Sequence, residues 1–233
     1  MTNTYRQSFQ APLNNVFNSR IRRALKAPER PIAIRKDHMT EAKSVLVVRP
    51  QGDAQSAVAY SIQDDDGITM FTASGRKFGD RSCREFRDSS GLPLFELHRK
   101  HWRNSWSVTL PGSSSARIAK ISQRRNGIGN FYITFENAGA FACKDREDKE
   151  LTLEIESHGN VLAMYDIVDG DRKVAEVRES IQHNEKLALV RRFPSTKHNY
   201  RPVLDVIITA EVDLSLIATV AVIISDAVFA ANY

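Results

Sequence analysis

Cysteine is nearly absent: Cys83 and Cys143 are the only two in 233 residues. That is too few for a disulfide framework in a chain of this length, although one Cys83–Cys143 bridge stays open as an alternative. Met1 to Gln10 is polar and lacks the apolar stretch of a secretory signal. No Asn-x-Ser/Thr acceptor occurs. Long apolar runs are also missing. The charge-free part of the apolar carboxy-terminal segment, Leu214 to Ser225, ends at Asp226, well short of the ~20 residues that a spanning helix needs. No pattern repeats at a fixed spacing of about 20–50 residues, which disfavours solenoids and propellers. These absences lead us to expect a cytoplasmic, reduced, monomeric protein without a transmembrane segment. With 42% hydrophobic and 26% charged residues, the chain is globular rather than disordered.

The formal charge of +5 is unevenly spread. Residues 1–43 hold Arg6, Arg20, Arg22, Arg23, Lys26, Arg30, Arg35, Lys36 and Lys43 against Glu29, Asp37 and Glu41, and the remainder is close to neutral. Asn18 to Lys26 could form a short basic helix, which Pro28 and Pro31 would stop. The division expected is a basic, partly disordered arm over 1–43 and a folded domain over 44–233.

From Ser44 the texture becomes short apolar stretches between turn residues. Strands are predicted at Ser44–Val48, Val58–Ile62, Ile68–Phe71, Cys83–Arg87, Leu92–Arg99, Trp102–Leu110, Ala116–Ser122, Phe131–Glu136, Leu151–Glu156, Val161–Val168, Val174–Glu179, Leu187–Arg192 and Val203–Ala210. Leu151, Leu153 and Ile155 alternate with polar neighbours, as do Phe131, Ile133 and Phe135; period two marks a strand with one buried face. Asp66-Gly67, Ser90-Gly91, Asn126-Gly127, His158-Gly159 and Asp169-Gly170 fall between strands, where glycine supplies the backbone of tight hairpins. A sheet this long removes its edges by closing on itself. The predicted fold is therefore mainly β: a closed antiparallel barrel of about twelve strands, filled by one hydrophobic helix from Asp213 to about Ala231. Asp213 is placed to cap that helix.

Three stretches carry a resemblance. Phe71 to Arg76, Arg84 to Lys100 and Trp106-Ser107-Val108 resemble the LURP-one-related family, whose signature has a D-x-x-G-x-x-L turn, a basic strand end and a W-x-V strand. Here these are Asp88, Gly91 and Leu94, then His98-Arg99-Lys100, then Trp106 and Val108. Val203 to Val228, with Val212-Asp213 and the late Asp226, resembles the closing helix of that family. Ser215 departs from its usual alanine, and the basic amino terminus is longer. The resemblance implies a cytosolic member of the tubby carboxy-terminal superfamily, whose barrel around one apolar helix is shared with the phospholipid scramblases. Tubby binds phosphoinositides and scramblases act at bilayers, but fold analogy alone does not transfer function.

Motifs for chemistry are weak. His98 and His101 stand three apart, yet zinc would need two further ligands and Cys83 reads as isolated. Asp64-Asp65-Asp66-Gly67 lacks the spaced ligands and late glutamate of a calcium loop and reads as a charged turn. Gly127-Ile128-Gly129 lacks the third glycine of a dinucleotide fingerprint, and Ser113-Ser114-Ser115 lacks a nucleophile elbow. No catalytic residue, cofactor or metal ligand is assigned, and the expectation is a non-enzymatic protein. The remaining signal is basic: Arg20, Arg22, Arg23 and Lys26 in the arm, and Arg99, Lys100, Arg103, Arg124 and Arg125 at strand ends or hairpin tips. A merely solubilising surface is the plainer reading. The functional one is a binding or tethering module for anionic, phosphoinositide-bearing lipid or a protein partner, peripheral at the inner membrane face. The alternatives are an enzyme or small-ligand carrier using a barrel cavity, and a nucleic-acid-binding regulator, which the absence of aromatic–basic interleaving disfavours.

Overall fold

The computed structural model describes residues 23–229 apart from 52–57, 75–76, 79–80, 101–104, 114, 124–129, 141–148, 159–163 and 185–201. Its strands are β1 (Ser44–Pro50), β2 (Val58–Asp64), β3 (Thr69–Ser74), β4 (Lys77–Phe78), β5 (Arg81–Asp88), β6 (Pro93–Lys100), β7 (Ser105–Thr109), β8 (Arg117–Gln123), β9 (Phe131–Glu136), β10 (Glu150–Ser157), β11 (Met164–Asp169), β12 (Arg172–Glu179) and β13 (Leu204–Ile208), followed by helix α1 (Leu214–Phe229). Every pairing between strands is antiparallel, and apart from β3 and β4 sequence neighbours are spatial neighbours. The short β4 branches from β5, β3 pairs directly with β5, and β13 returns to β1. Twelve strands thus close a ring with no free edge, as the patterning predicted.

The alternation explains the closure. Leu151, Leu153 and Ile155 face Phe135, Ile133 and Phe131 across the β9–β10 register, and all six are buried. On the outer side of the same pair, the hydroxyls of Thr134 and Thr152 lie 2.9 Å apart. Around the ring the inward positions include Tyr60, Ile62, Phe86, Phe95, Trp106, Val108, Ile121, Ile167, Val177 and Val206. Predicted turns at Gly67, Gly91 and Gly170 have the positive φ that the hairpins need. Asn126-Gly127, Gly159 of the predicted His158-Gly159 turn, and the predicted strand Leu187–Arg192 lie outside the described residues. The Asp64 turn is a hairpin, its carboxylate accepting from the Ile68 amide at 2.8 Å.

Helix α1 fills the ring. Leu216, Ile217, Ala218, Val220, Ala221, Val222, Ile223 and Ile224 are all at most 1% exposed. Because the barrel wall surrounds the helix, every side of it is apolar rather than one stripe. Burying each large side chain stabilises by about 1.5–3 kcal/mol before ordering costs. No helix among the described residues is long and apolar enough to cross a membrane.

The arm expected over 1–43 requires correction from residue 23 onward. Leu25 bridges Lys173, Ile32 bridges Val212 and Met39 bridges Asp213. Ile32 and Ala33 are fully buried. Residues 23–26 are extended rather than helical, because hydrogen bonding to the barrel, such as Lys26 N to Lys173 O at 2.9 Å, replaces helical bonding. Packing therefore begins well before Ser44.

Candidate functional site

Helix α1 enters the barrel at one end, and its carboxy-terminal part lies toward the other. At the entry end, residues 31–40 form a strap across the opening. Ile32 N donates to Glu211 O at 2.9 Å, and Asp213 N donates to Ile32 O at 2.8 Å. Asn137 anchors the strap from β9: its Oδ1 accepts from the Ala33 amide at 2.9 Å, and its Nδ2 donates to Pro31 O at 2.9 Å. Asp213, 0% exposed, serves both helix and strap. Its Oδ1 accepts from Ser215 N at 2.8 Å, Ser215 Oγ at 2.6 Å and Leu216 N at 3.3 Å; its Oδ2 accepts from Ile34 N at 3.0 Å and Arg35 N at 2.8 Å. Burial pushes this carboxyl up from its ordinary value, and the bonds from Ser215, Arg35 and Leu216 pull it back.

At the far end Asp226 is held from the wall. Arg84 grips it with two bonds, Nε to Oδ2 at 2.6 Å and Nη2 to Oδ1 at 2.8 Å. Tyr60 Oη donates to Asp226 Oδ1 at 2.8 Å, and the Arg84 guanidinium lies 5.1 Å over the Tyr60 ring. Beside it Arg99 packs 5.8 Å over the ring of its cross-strand partner Trp106, which meets Phe131 edge-on. Tyr165 is pushed up to about 12, chiefly by burial. On the outer face of β10–β12 lies a charged cluster that sequence reasoning missed. Lys173 Nζ stands 2.9 Å from Glu176 and 3.4 Å from Asp166, His158 lies 3.0 Å from Asp166, and Arg23 binds Glu156 at 2.8 Å. Glu156, Asp166, Lys173 and Glu176 occupy outward strand positions, which alternation assigns to solvent, so the sequence carried no signal for their burial.

The nine basic residues singled out from the sequence meet different fates. Arg23 is paired to the barrel, and Lys26 is exposed where the chain joins β12. Arg99 shares the inward-facing row of Phe95 and Leu97, so it is a packed cation beside Trp106 rather than a freely solvated strand end. Lys100 ends β6. Arg20, Arg22, Arg103, Arg124 and Arg125 lie outside the described residues. Among the described residues, Arg23 and Lys26 lie against β10 and β12 while Arg99 lies against Trp106, so these three do not form one patch. A shallow cleft lined by Glu29, Arg30, Asp169, Asp171 and Arg172 opens on the entry side.

The closed ring around a buried helix, pinned by an acid at each end, defines the class: a helix-filled antiparallel barrel. The profile of the LURP-one-related family matches residues 44–226. The chain belongs to that family. Among solved structures it is similar to an X-ray structure of a protein from Arabidopsis thaliana, with 15% identity and a TM-score of 0.52 over 84% of this chain and 98% of that one. At that identity the likeness shows the fold alone. No curated protein matches the chain. The family's motifs have structural duties here. Asp88 accepts from Ser90 N, Ser90 Oγ and Leu92 N at 2.9, 2.6 and 2.9 Å, Gly91 makes the turn, and Leu94 enters the core.

Proposed function

We propose that this LURP-one-related protein is a non-enzymatic binding module that docks reversibly on anionic, phosphoinositide-bearing membrane through the end of the barrel where α1 finishes. One observation carries the reading: strand direction sorts charge between the two ends. The connections β1–β2, β3–β5, β6–β7, β8–β9, β10–β11 and β12–β13 all leave from the far end. By sequence, these connections hold Arg76, Lys77, Arg103, Arg124, Arg125, Lys186, Arg191, Arg192, Lys197 and Arg201 against Asp53, Asp80 and Glu185. The strand ends beside them add Arg49, Arg81, Lys100 and Arg178 against Glu156, Glu179 and Asp205, with Arg99 packed inward on Trp106. The opposite connections hold Asp65, Asp66, Asp145, Glu147, Asp148, Asp171, Glu211 and Asp213 against Lys144, Arg146 and Lys149. The strand ends beside them add Asp64, Asp88, Glu136, Glu150 and Asp169 against Arg87, Arg117, Arg172 and Lys173. The strap adds Glu29, Asp37 and Glu41 against Arg30, Arg35, Lys36 and Lys43, so this end is net acidic. A molecule so polarised orients its basic end toward an anionic surface. Each basic residue near such a leaflet contributes about 1 kcal/mol, so several suffice for reversible docking. The interior occupied by α1 supports binding at the surface over chemistry in a cavity.

Sedimentation with phosphoinositide-containing and neutral vesicles tests this, at low and at physiological salt. Binding is expected to the anionic vesicles alone and to weaken as salt shortens the screening length to about 8 Å. Exchanging Lys100, Arg103, Arg124 and Arg125 for glutamate should abolish it. Equal binding to neutral vesicles, or full binding by that variant, would refute the proposal. A chain beginning at Arg23 measures the contribution of the first 22 residues, whereas one beginning at Lys43 would also remove the Ile32 strap. Gel shift with nucleic acid at the same two salt concentrations separates the competing partner.

A further inference from the structure

Register brings together three side chains that the sequence kept apart. Cys83 on β5 lies directly opposite His98 on β6, and Glu96 precedes His98 by two residues, on the same face of the strand. That face is the outer one, since Phe86, Phe95 and Leu97 occupy the inward positions. The Cys83 thiol, a Glu96 oxygen and a His98 ring nitrogen all lie within 4.8 Å of one another. His98 Nε2 stands 3.2 Å from Glu96 Oε2 and 3.2 Å from the hydroxyl of Thr109 on β7. The sequence paired His98 with His101 and read Cys83 as isolated; strand pairing joins Cys83 to His98 instead.

We propose that Cys83, Glu96 and His98 form a binding site for a borderline-soft divalent cation of the zinc type. A thiolate, an imidazole and a carboxylate are the ligands zinc takes, whereas calcium and magnesium take oxygen alone. With metal–ligand bonds of about 2.0–2.3 Å, tetrahedral ligands stand ~3.3–3.8 Å apart, so three atoms within 4.8 Å close on an ion by small rotations about their side-chain bonds. Three protein ligands leave a fourth position, and the partial exposure of Glu96 and His98, at 24% and 22%, opens it to water or an incoming ligand. The local field favours a cation. Glu85 stands directly opposite Glu96 on this face and, though paired with Arg87 at 2.7 Å, adds a second carboxylate acting on the thiol. Burial, with Glu96 and Glu85, raises the thiol to about 11, so it is protonated at neutral pH. Forming the metal–sulfur bond therefore breaks the S–H bond, and one proton leaves to solvent.

Cobalt(II) is the probe, added to the full chain carrying Cys143→Ser so that Cys83 is the only thiol. One equivalent should produce a near-ultraviolet thiolate-to-cobalt band with the visible intensity of a four-coordinate ion, and zinc should displace it. Cys83→Ser should abolish the band, while His98→Ala and Glu96→Gln should each weaken cobalt binding about tenfold or more, with circular dichroism unchanged. The parent protein decides the matter even if a variant misfolds: no band at one equivalent overturns the site. Persistence of the band in Cys83→Ser, or unchanged affinity in both His98→Ala and Glu96→Gln, overturns it equally. Vesicle binding by the same variants should be unaltered, which separates this site from the basic end.

Discussion

Asparagine for aspartate at a helix amino cap is ordinarily almost neutral, because one side-chain oxygen does the work. Asp213→Asn should not be neutral here. Both oxygens of Asp213 accept: Oδ1 from Ser215 and Leu216 at the start of α1, Oδ2 from the amides of Ile34 and Arg35 in the strap. Asparagine can satisfy one set only. With its carbonyl toward α1, its NH2 faces two N–H donors and leaves both without a partner. Each orphaned donor costs about 1–3 kcal/mol, at the low end here because the strap amides are only partly buried. Removing a buried negative charge recovers part of that loss. The net expectation is a destabilisation of about 1–3 kcal/mol, read as a shift in urea midpoint at constant slope, or as roughly 2–4 °C in Tm per kcal/mol. Amide exchange should locate the damage, with Ile34 and Arg35 losing protection while the first turn of α1 keeps it. A variant within about 0.3 kcal/mol of the parent, with both amides still protected, would refute the two-sided role of Asp213.

Gly139→Ala should destabilise by about 1–3 kcal/mol in the same assay, because a Cβ there would stand 2.4 Å from the carbonyl oxygen of Pro31, a backbone atom that cannot swing aside. Arg84→Ala should cost about 3 kcal/mol by leaving Asp226, 11% exposed, without its main partner, and the double change Arg84→Ala, Asp226→Ala should recover part of it in a mutant cycle. Truncation after Glu211 should give unfolded or aggregated protein by circular dichroism and gel filtration, since α1 buries more apolar surface than the ~5–15 kcal/mol net stability of a domain can lose. Asp88 is held below the usual carboxylate range, mainly by the Ser90 hydroxyl, so its contribution is present above the unfolded value near 3.8 and lost as pH falls through the folded one. Asp88→Ala should accordingly flatten the acid side of the stability profile.

Most of the barrel was legible because alternation is a local signal. Phe131–Glu136 was delimited to the residue, and Leu151–Glu156 to within one at each end. The two-residue β4 is too short to show any period, and Trp102–Leu110 overran the end of β7 at Thr109 by one apolar residue, its first three residues lying outside the described ones. The strap was missed for a different reason. Ile32 and Ala33 sit between Pro31 and charged residues, so local texture reads as arm, and only the open end of a barrel makes a plug of them. Sites depend on register, which composition does not reveal. Cys83 and His98 are fifteen positions apart in the chain yet directly opposed across β5 and β6. Arg99 was read as a solvated strand end, but the inward row of Phe95 and Leu97 continues through it.

Polarity inside α1 answers a problem that its apolar surface creates. A helix that is hydrophobic on every side, inside a wall that is hydrophobic on every side, gains nearly the same burial after sliding one turn or rotating. Fixed contacts are needed to choose one position. Asp213 and Asp226 bracket a stretch that rises about 20 Å at 1.5 Å per residue, close to the ~20–26 Å length of six- to eight-residue strands. The strap amides hold the first acid, and Arg84 with Tyr60 holds the second. Between them Thr219 returns its hydroxyl to Ser215 O at 2.8 Å, and the Ser225 hydroxyl lies 3.1 Å from Tyr60 Oη, so these polar groups also have partners inside the barrel. The residues that keep the segment from reading as a membrane span are thus the ones that set its depth and rotation. Losing either acid should therefore loosen the position of the helix as well as lower the stability of the barrel.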